Sequence, residues 1–225
     1  MFTGIIEAVG SITTIKRHAK DMTITVDCGE LDLCDVKLGD SIAHNGVCLT
    51  VTQLHDNGYD VDISNETIQR SGFSAIKPGF AINLEKAMQV TSRFGGHIVS
   101  GHVDGVGEIT TISQLGSAVE YWIKAPDSLA KYIAEKGSIT VDGISLTTNS
   151  IDGASFKLTI IPHTISQTTM THYQVGTLVN LEVDVVSRYL ERLLMGDKAA
   201  YSGSESDSPE KESTLSLLAR SGFMG

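Results

Sequence analysis

Apolar and polar residues alternate along much of this chain with the period of two that marks a strand buried on one face. Met22-Thr23-Ile24-Thr25-Val26 and Tyr59-Asp60-Val61-Asp62-Ile63 are the plainest cases. Residues 5–15, rich in Ile, Val and Thr, predict a first strand with a bulge or close backbone approach at Gly10. Ser41-Ile42-Ala43 and Val47-Cys48-Leu49-Thr50-Val51 flank Asn45-Gly46, a dipeptide that joins two strands as a hairpin. Asn57-Gly58 sets a second such turn, and Phe80 to Glu85 follows Pro78-Gly79 as a closing strand. Leu31 to Leu38 predicts a short helical turn ended by Gly39. About six short strands between turn signals, with little helix, point to a small barrel or sandwich. Closure into a barrel removes the exposed edges that an all-β unit must otherwise protect.

The pattern then starts again. Met1-Phe2-Thr3-Gly4-Ile5-Ile6-Glu7-Ala8-Val9-Gly10 realigns with Ile98-Val99-Ser100-Gly101-His102-Val103-Asp104-Gly105-Val106-Gly107. From Gly4 to Gly101 the shift is 97 positions, and it persists through Gly46 and Gly143, Leu49-Thr50 and Leu146-Thr147, and Asn83-Leu84-Glu85 and Asn180-Leu181-Glu182. Two copies of this length make a duplicated domain, not a solenoid. The expected division is a first barrel over 1–97, a second over 98–185, a helix over 186–196 and a tail over 197–225. In the second copy the strands fall near 119–124, 139–141, 145–149, 156–161 and 178–183. Ser128 to Glu135 predicts an inserted helix capped by Ser128 and ended at Gly137. After Asp184, Val186, Tyr189, Leu190, Leu193 and Leu194 share one helical face with no counterpart in the first copy. That face is expected to pack against other subunits, the alternative being its own barrel. Gly203 to Glu212 is Ser-rich and acidic, the composition of a disordered linker, and Ser216 to Phe223 predicts a short final helix.

Composition narrows the function. A formal charge of −10 argues against a surface that tracks phosphates, so no nucleic-acid partner is expected. Hydrophobic residues make up 41% and mean hydropathy is +0.04, as in an ordinary soluble protein. No apolar run approaches the roughly 20 residues of a membrane span. The first residues already belong to the repeat, which leaves no room for an address signal and implies a cytoplasmic protein. Cys28, Cys34 and Cys48 are odd in number and lack metal-ligand spacing, so neither a disulfide framework nor a metal site is expected.

His97 and His102 lead the candidate chemistry. Five residues apart on an extended chain, they face opposite ways and do not match a zinc site; one surface and one hydrogen-bonded histidine is the plain expectation. Ser41, Cys48, Thr50, Ser145 and Thr147 gather in the two equivalent hairpins, where hydroxyls commonly serve local backbone bonds. The copies diverge at chemically telling places: Cys48 answers to Ser145, Ile5 to His102 and Glu66 to His163. Repeated glycines with diverging polar groups describe two similar pockets with unequal chemistry.

At these residues the chain resembles the riboflavin synthase family of the α type. The motifs are Met-Phe-Thr-Gly-Ile at the start, Ala43 to Thr50, Gly95-Gly96-His97 through Gly101-His102, Asp142 to Thr147, and Ile161-Pro162-His163-Thr164. The resemblance spans residues 1–195. It implies an all-β fold of two tandem six-stranded Greek-key barrels plus a C-terminal α-helix that bundles three subunits. It also implies a cofactor- and metal-free dismutation of two 6,7-dimethyl-8-ribityllumazine molecules to riboflavin and 5-amino-6-(D-ribitylamino)uracil, coupled functionally to lumazine synthase. Each active site would lie between the first barrel of one subunit and the second of a neighbour.

By the same resemblance the first barrel would bind through Gly4-Ile5-Ile6, Cys48-Leu49-Thr50 and Asp62-Ile63-Ser64-Asn65-Glu66-Thr67. The second would use Gly101-His102-Val103, Lys136, Ser145-Leu146-Thr147 and Thr159-Ile160-Ile161-Pro162-His163-Thr164. His102 would move protons, with Ser41, Cys48 or Ser145 as nucleophile or orienter beside Thr147, and Phe2, His97 and Asp184 in support. The competing reading is a non-catalytic lumazine- or flavin-binding protein on the same duplicated barrel. A degenerate second pocket would mark it, and both pockets here keep their motifs.

Overall fold

The computed structural model of the protein describes residues 1–200; the linker expected over 203–212 and the helix expected over 216–223 lie outside them. Strands β1 (Ala8–His18), β2 (Asp21–Asp27), β3 (Ser41–His44), β4 (Val47–His55), β5 (Gly58–Ile63) and β6 (Ala81–Lys86) close into an antiparallel barrel in the order β1-β2-β5-β4-β3-β6. Strands β7 (Gly105–Leu115), β8 (Ala118–Lys124), β9 (Ser138–Val141), β10 (Ile144–Asp152), β11 (Ser155–Ile160) and β12 (Leu178–Val183) close a second barrel in the same cyclic order. In each, a three-strand meander returns beside the strand that precedes it, which is Greek-key connectivity. Every strand of the second barrel begins 97 residues after its counterpart, as Ala8 and Gly105 or Ala81 and Leu178 do.

Each barrel fills its own interior. Ile12, Ile24, Ile42, Val61 and Leu84 are fully buried or nearly so in the first, and Ile109, Ile123, Val141, Leu158 and Leu181 in the second. One polar pair interrupts the first core. His44 Nδ1 lies 3.0 Å from the Ile42 carbonyl, and Nε2 lies 2.9 Å from the Tyr59 hydroxyl. A carbonyl can only accept, so Nδ1 carries the proton and Tyr59 donates to Nε2. The second barrel has Val141 and Phe156 at these places and needs no such bond.

The barrels meet about a pseudo-twofold axis, and the contacts come in exchanged pairs. Phe2 and Val99, equivalent residues, form a two-way bridge: Phe2 N–H donates to Val99 at 2.8 Å, and Val99 N–H to Phe2 at 3.1 Å. The Asn83 side-chain amide donates to the Asp142 carbonyl, and Asn180 donates to the Asn45 carbonyl, both at 2.9 Å. Their oxygens in turn accept from the backbone N–H groups of Thr169 (2.8 Å) and Gly72 (2.7 Å). Between these pairs Gly46 and Gly143 touch: a Cβ on either would fall 2.8 Å from the other's backbone nitrogen.

Local expectations fare unevenly. Residues 31–38 form successive hydrogen-bonded turns, not a helix, with Leu31 and Val36 anchored in the core. The helix expected over 128–135 is a 3-10 turn, Asp127–Tyr132, which follows Pro126 and has no side-chain cap; Lys136, not Gly137, takes the left-handed conformation (φ +63°). Two short helices went unread: α1 (Asn65–Arg70), capped by Ser64, and α2 (Pro162–Ser166), with Pro162 in its first turn. Helix α3 (Val185–Leu194) matches the sequence pattern, and its apolar residues Val186, Tyr189, Leu190, Leu193 and Leu194 are all at least half exposed. Among the described residues no helix is long and apolar enough to cross a membrane.

Two outcomes follow from this architecture. Asn83→Ala strips the Thr169 N–H and the Asp142 carbonyl of their partners in a buried interface, and denaturant unfolding should register a loss on the order of 3 kcal/mol. Burial also pushes His44 down to about 4, so between that value and the 6.5 of an exposed imidazole the unfolded chain binds the extra proton. This contribution is complete above pH 6.5 and is lost as pH falls toward 4, by up to about 3 kcal/mol. His44→Val with Tyr59→Phe, the pair the second barrel uses, should flatten that acid limb in pH-dependent melting.

Candidate active site

The segment before each barrel's first strand leaves its own barrel and lies on the other. Ser145 N–H donates to the Gly4 carbonyl (2.8 Å), and Cys48 N–H donates to the Gly101 carbonyl (2.9 Å), another exchanged pair. Ile6 packs against the second core and Val103 against the first. This crossing is why β1 starts at Ala8, three residues later than the apolar pattern predicts. It also re-sorts the expected binding residues: Gly101-His102-Val103 lies by Cys48 and Gly4 by Ser145, and neither segment stays with its own copy.

Two buried carboxylates hold the crossing segments. Glu85 Oε1 accepts from the Thr3 N–H (2.7 Å) and hydroxyl (2.9 Å), and Oε2 from the Gly4 N–H (3.0 Å). Glu182 repeats this on Ser100 and Gly101 and adds the His102 N–H at 3.1 Å. Burial raises the pKa of both carboxyls, and the converging N–H donors oppose that rise by stabilising the charge.

The first cleft, about 220 Å³, is lined by Val47, Cys48, Glu66, Thr67, Arg70, Ser71, Gly101, His102 and Val103. Helix α1 supplies one wall: Ser64 accepts from the Thr67 N–H (3.3 Å), Asp21 anchors the Asn65 N–H (2.8 Å), and Glu66 pairs with Arg70 (3.2 Å). Gly101 (φ +80°) has to be glycine, since a Cβ would lie 2.5 Å from that of Cys48. His102 is exposed to the cleft while its backbone is fixed by Glu182.

The other copy sets up different chemistry. His97 is buried, its Nδ1 2.7 Å from the Ser145 hydroxyl and its Nε2 3.2 Å from the Thr140 hydroxyl. Burial lowers its pKa and the charge of Asp184 opposes that, so the ring is neutral at neutral pH. A neutral imidazole donates from one nitrogen and accepts at the other, so one of the two hydroxyls gives its proton to the ring. With Thr140 accepting, Ser145 points its proton at Nδ1, the arrangement of a serine beside a base.

Of the remaining predicted residues, Phe2 is fully buried at the pseudo-dyad and Asp184 accepts the Val186 N–H (2.9 Å) at the start of α3. Ser41 opens on a separate cavity of about 250 Å³ with Lys86 and Gln89, away from Cys48. Asp62, Ile63 and Ser64 border another, where Asp62 accepts from the Thr23 hydroxyl (2.6 Å). Lys136 is exposed beside Thr148, and Thr147 pairs across the ladder with Ser138. Arg70, Ser71, Thr140 and the two glutamates were not picked out as site residues. The recurring Asn-Leu-Glu tripeptide carried the signal for the glutamates.

The lumazine-binding domain family matches the chain twice, over residues 3–87 and 100–184. The riboflavin synthase of Photobacterium phosphoreum is 52% identical over 224 residues, covering 100% of both chains. The chain belongs to the riboflavin synthase family. The Bacillus subtilis riboflavin synthase is 46% identical over 86% of this chain and 90% of its own. Among solved structures, LumP complexed with riboflavin aligns with a TM-score of 0.75 at 25% identity, over 81% of this chain and 99% of that one. The two family matches are offset by the same 97 residues as the strands.

Glu182→Gln tests how the cleft is held. An amide cannot accept from four donors and brings N–H groups of its own, so the barrel should fold while the segment loosens. Amide exchange at Ser100, Gly101 and His102 is expected to quicken by about tenfold or more, with the β7–β8 core unchanged.

Proposed function

We infer that the protein is a riboflavin synthase: it dismutates two molecules of 6,7-dimethyl-8-ribityllumazine, moving a four-carbon unit from one to the other to give riboflavin and 5-amino-6-(D-ribitylamino)uracil. Full-length identity to curated riboflavin synthases carries the reading. The two atom sets balance with no net water, oxidant or reductant, so the protein's task is placement and proton transfer.

A duplicated barrel suits this reaction. Identical substrates call for matching cradles, and opposite fates call for different side chains. One lumazine must lose a proton from its acidic C7 methyl, and the other must take a nucleophile at C7. His102 stands in the first cleft beside Cys48 and is our choice for the proton transfer. Ser145, with His97 positioned to take its proton, is our choice for the nucleophile, directly or through a water it orients. Gly4 to Ile6, Ser145 to Thr147 and α2 with His163 form the counterpart of the cleft lined by Gly101 to Val103, Cys48 and α1. Glu66 and His163, at equivalent positions, suit the ribityl hydroxyls.

The exposed apolar face of α3 fits a homotrimer, in which the first barrel of one subunit would face the second of a neighbour and bring the two lumazines together. Three free cysteines agree with a reducing, cytoplasmic setting.

Incubating the protein with 6,7-dimethyl-8-ribityllumazine alone should yield riboflavin absorbance, unaffected by chelator. His102→Gln should lower kcat by about a hundredfold with little change in ligand affinity. Tight binding without conversion by the unmodified protein would overturn the enzyme reading in favour of a flavin-binding protein.

A further inference from the structure

A cavity larger than the first cleft lies apart from it. It opens on the pseudo-twofold axis between the barrels, measures about 750 Å³, and shares only Ser71 with the first cleft. That size is within the range of small-molecule sites. Its frame is symmetric and its walls are not. Where the first copy contributes Asn45, Ala75 and Ile76, the second contributes Asp142, His172 and Tyr173 at the equivalent positions. Phe73 and Phe80 add apolar surface to the lining.

The polar wall is built, and the first copy makes the same turn without it. The Asp142 carboxylate accepts the Asn180 N–H (2.7 Å) through Oδ1 and the Tyr173 hydroxyl (2.6 Å) through Oδ2. In the first copy Asn45 accepts the Asn83 N–H at the same 2.7 Å, and an isoleucine replaces the tyrosine. An amide therefore satisfies this turn. The carboxyl costs stability by comparison, since burial pushes it up to about 7 while the Tyr173 and Asn180 bonds pull the other way. Tyr121 meets the Tyr173 ring edge-on (centroids 6.2 Å apart) and fixes its direction. A costly polar pair on one wall of an apolar cavity, absent from its twin, is the pattern of a recognition site.

We propose that this cavity is a second small-molecule site, taking a planar aromatic ligand that bears an amine or amidine and directs it at the Tyr173 and Asp142 oxygens. The aromatic body lies against Phe73, Ile76 and Phe80, and the donor extends the Tyr173–Asp142 hydrogen-bond chain. This site goes beyond the lumazine chemistry and does not depend on it.

Proflavine, a planar tricyclic diamine, is the probe, titrated by calorimetry with riboflavin saturating the lumazine clefts. The expected result is one molecule bound per chain at about micromolar Kd. Tyr173→Phe and Asp142→Asn should each weaken it by about tenfold or more while leaving riboflavin affinity unchanged, and Ser74→Trp, which fills the mouth, should abolish it. Competition by riboflavin, no heat in its presence, or heat indifferent to all three variants would overturn the proposal. Failure of riboflavin itself to bind would count against the lumazine reading and not against this site.

Discussion

Asn83 and Asn180 each donate to a carbonyl in the other barrel's hairpin turn and accept from a backbone N–H of the other barrel, Thr169 and Gly72 respectively. Both are buried. A buried polar group without its partner costs more than its bond contributes when made. The two barrels are therefore committed to one register against each other, and the commitment is symmetric because the sequence is. The touching glycines 46 and 143 sharpen it, since the backbones approach too closely for any side chain.

From that register the rest of the site follows. With the hairpins locked at the axis, Cys48 and Ser145 begin strands that run away from it, and each offers its N–H to a segment arriving from the opposite copy. Glu85 and Glu182 sit two residues beyond the axial asparagines on the same strands, and pin those segments through their backbone donors. One strand per copy thus sets both the mating of the barrels and the position of the crossing segment. A change at Asn83 or Asn180 is felt at the clefts without touching a ligand.

The strands and the duplication were legible because burial on one face writes itself as alternation, and a constant offset writes itself as repetition. The short helices were not. Asn65 to Arg70 buries no residue and carries no apolar period, so only the Ser64 cap hinted at it. The crossing of Gly4–Ile6 and Gly101–Val103 was invisible for a different reason. In a duplicated chain each segment fits either copy's hairpin by sequence, and only the closed three-dimensional arrangement chooses. The same ambiguity hid Thr140, whose role depends on a histidine 43 positions away with no equivalent in the first copy. What the sequence conveyed well was divergence: Cys48 and Glu66, which line the first cleft, answer to Ser145 and His163.

Divergence on a symmetric frame also explains why so few of the changed residues touch the axis itself. A substitution at Asn83 alone would break a reciprocal pair, whereas Ile5 and His102 are exposed and can change singly. Asn45 and Asp142 are the exception at the turn, and the exception is tolerated because both side chains present an oxygen to the same backbone N–H. The frame fixes what must match at the axis, and it leaves each copy free to differ elsewhere, in a cavity lining as at Ala75 and His172 or inside one core as at His44 and Val141. Chemical asymmetry in this protein therefore spares the reciprocal axial bonds that make the barrels alike, and falls in a pocket lining or inside one barrel.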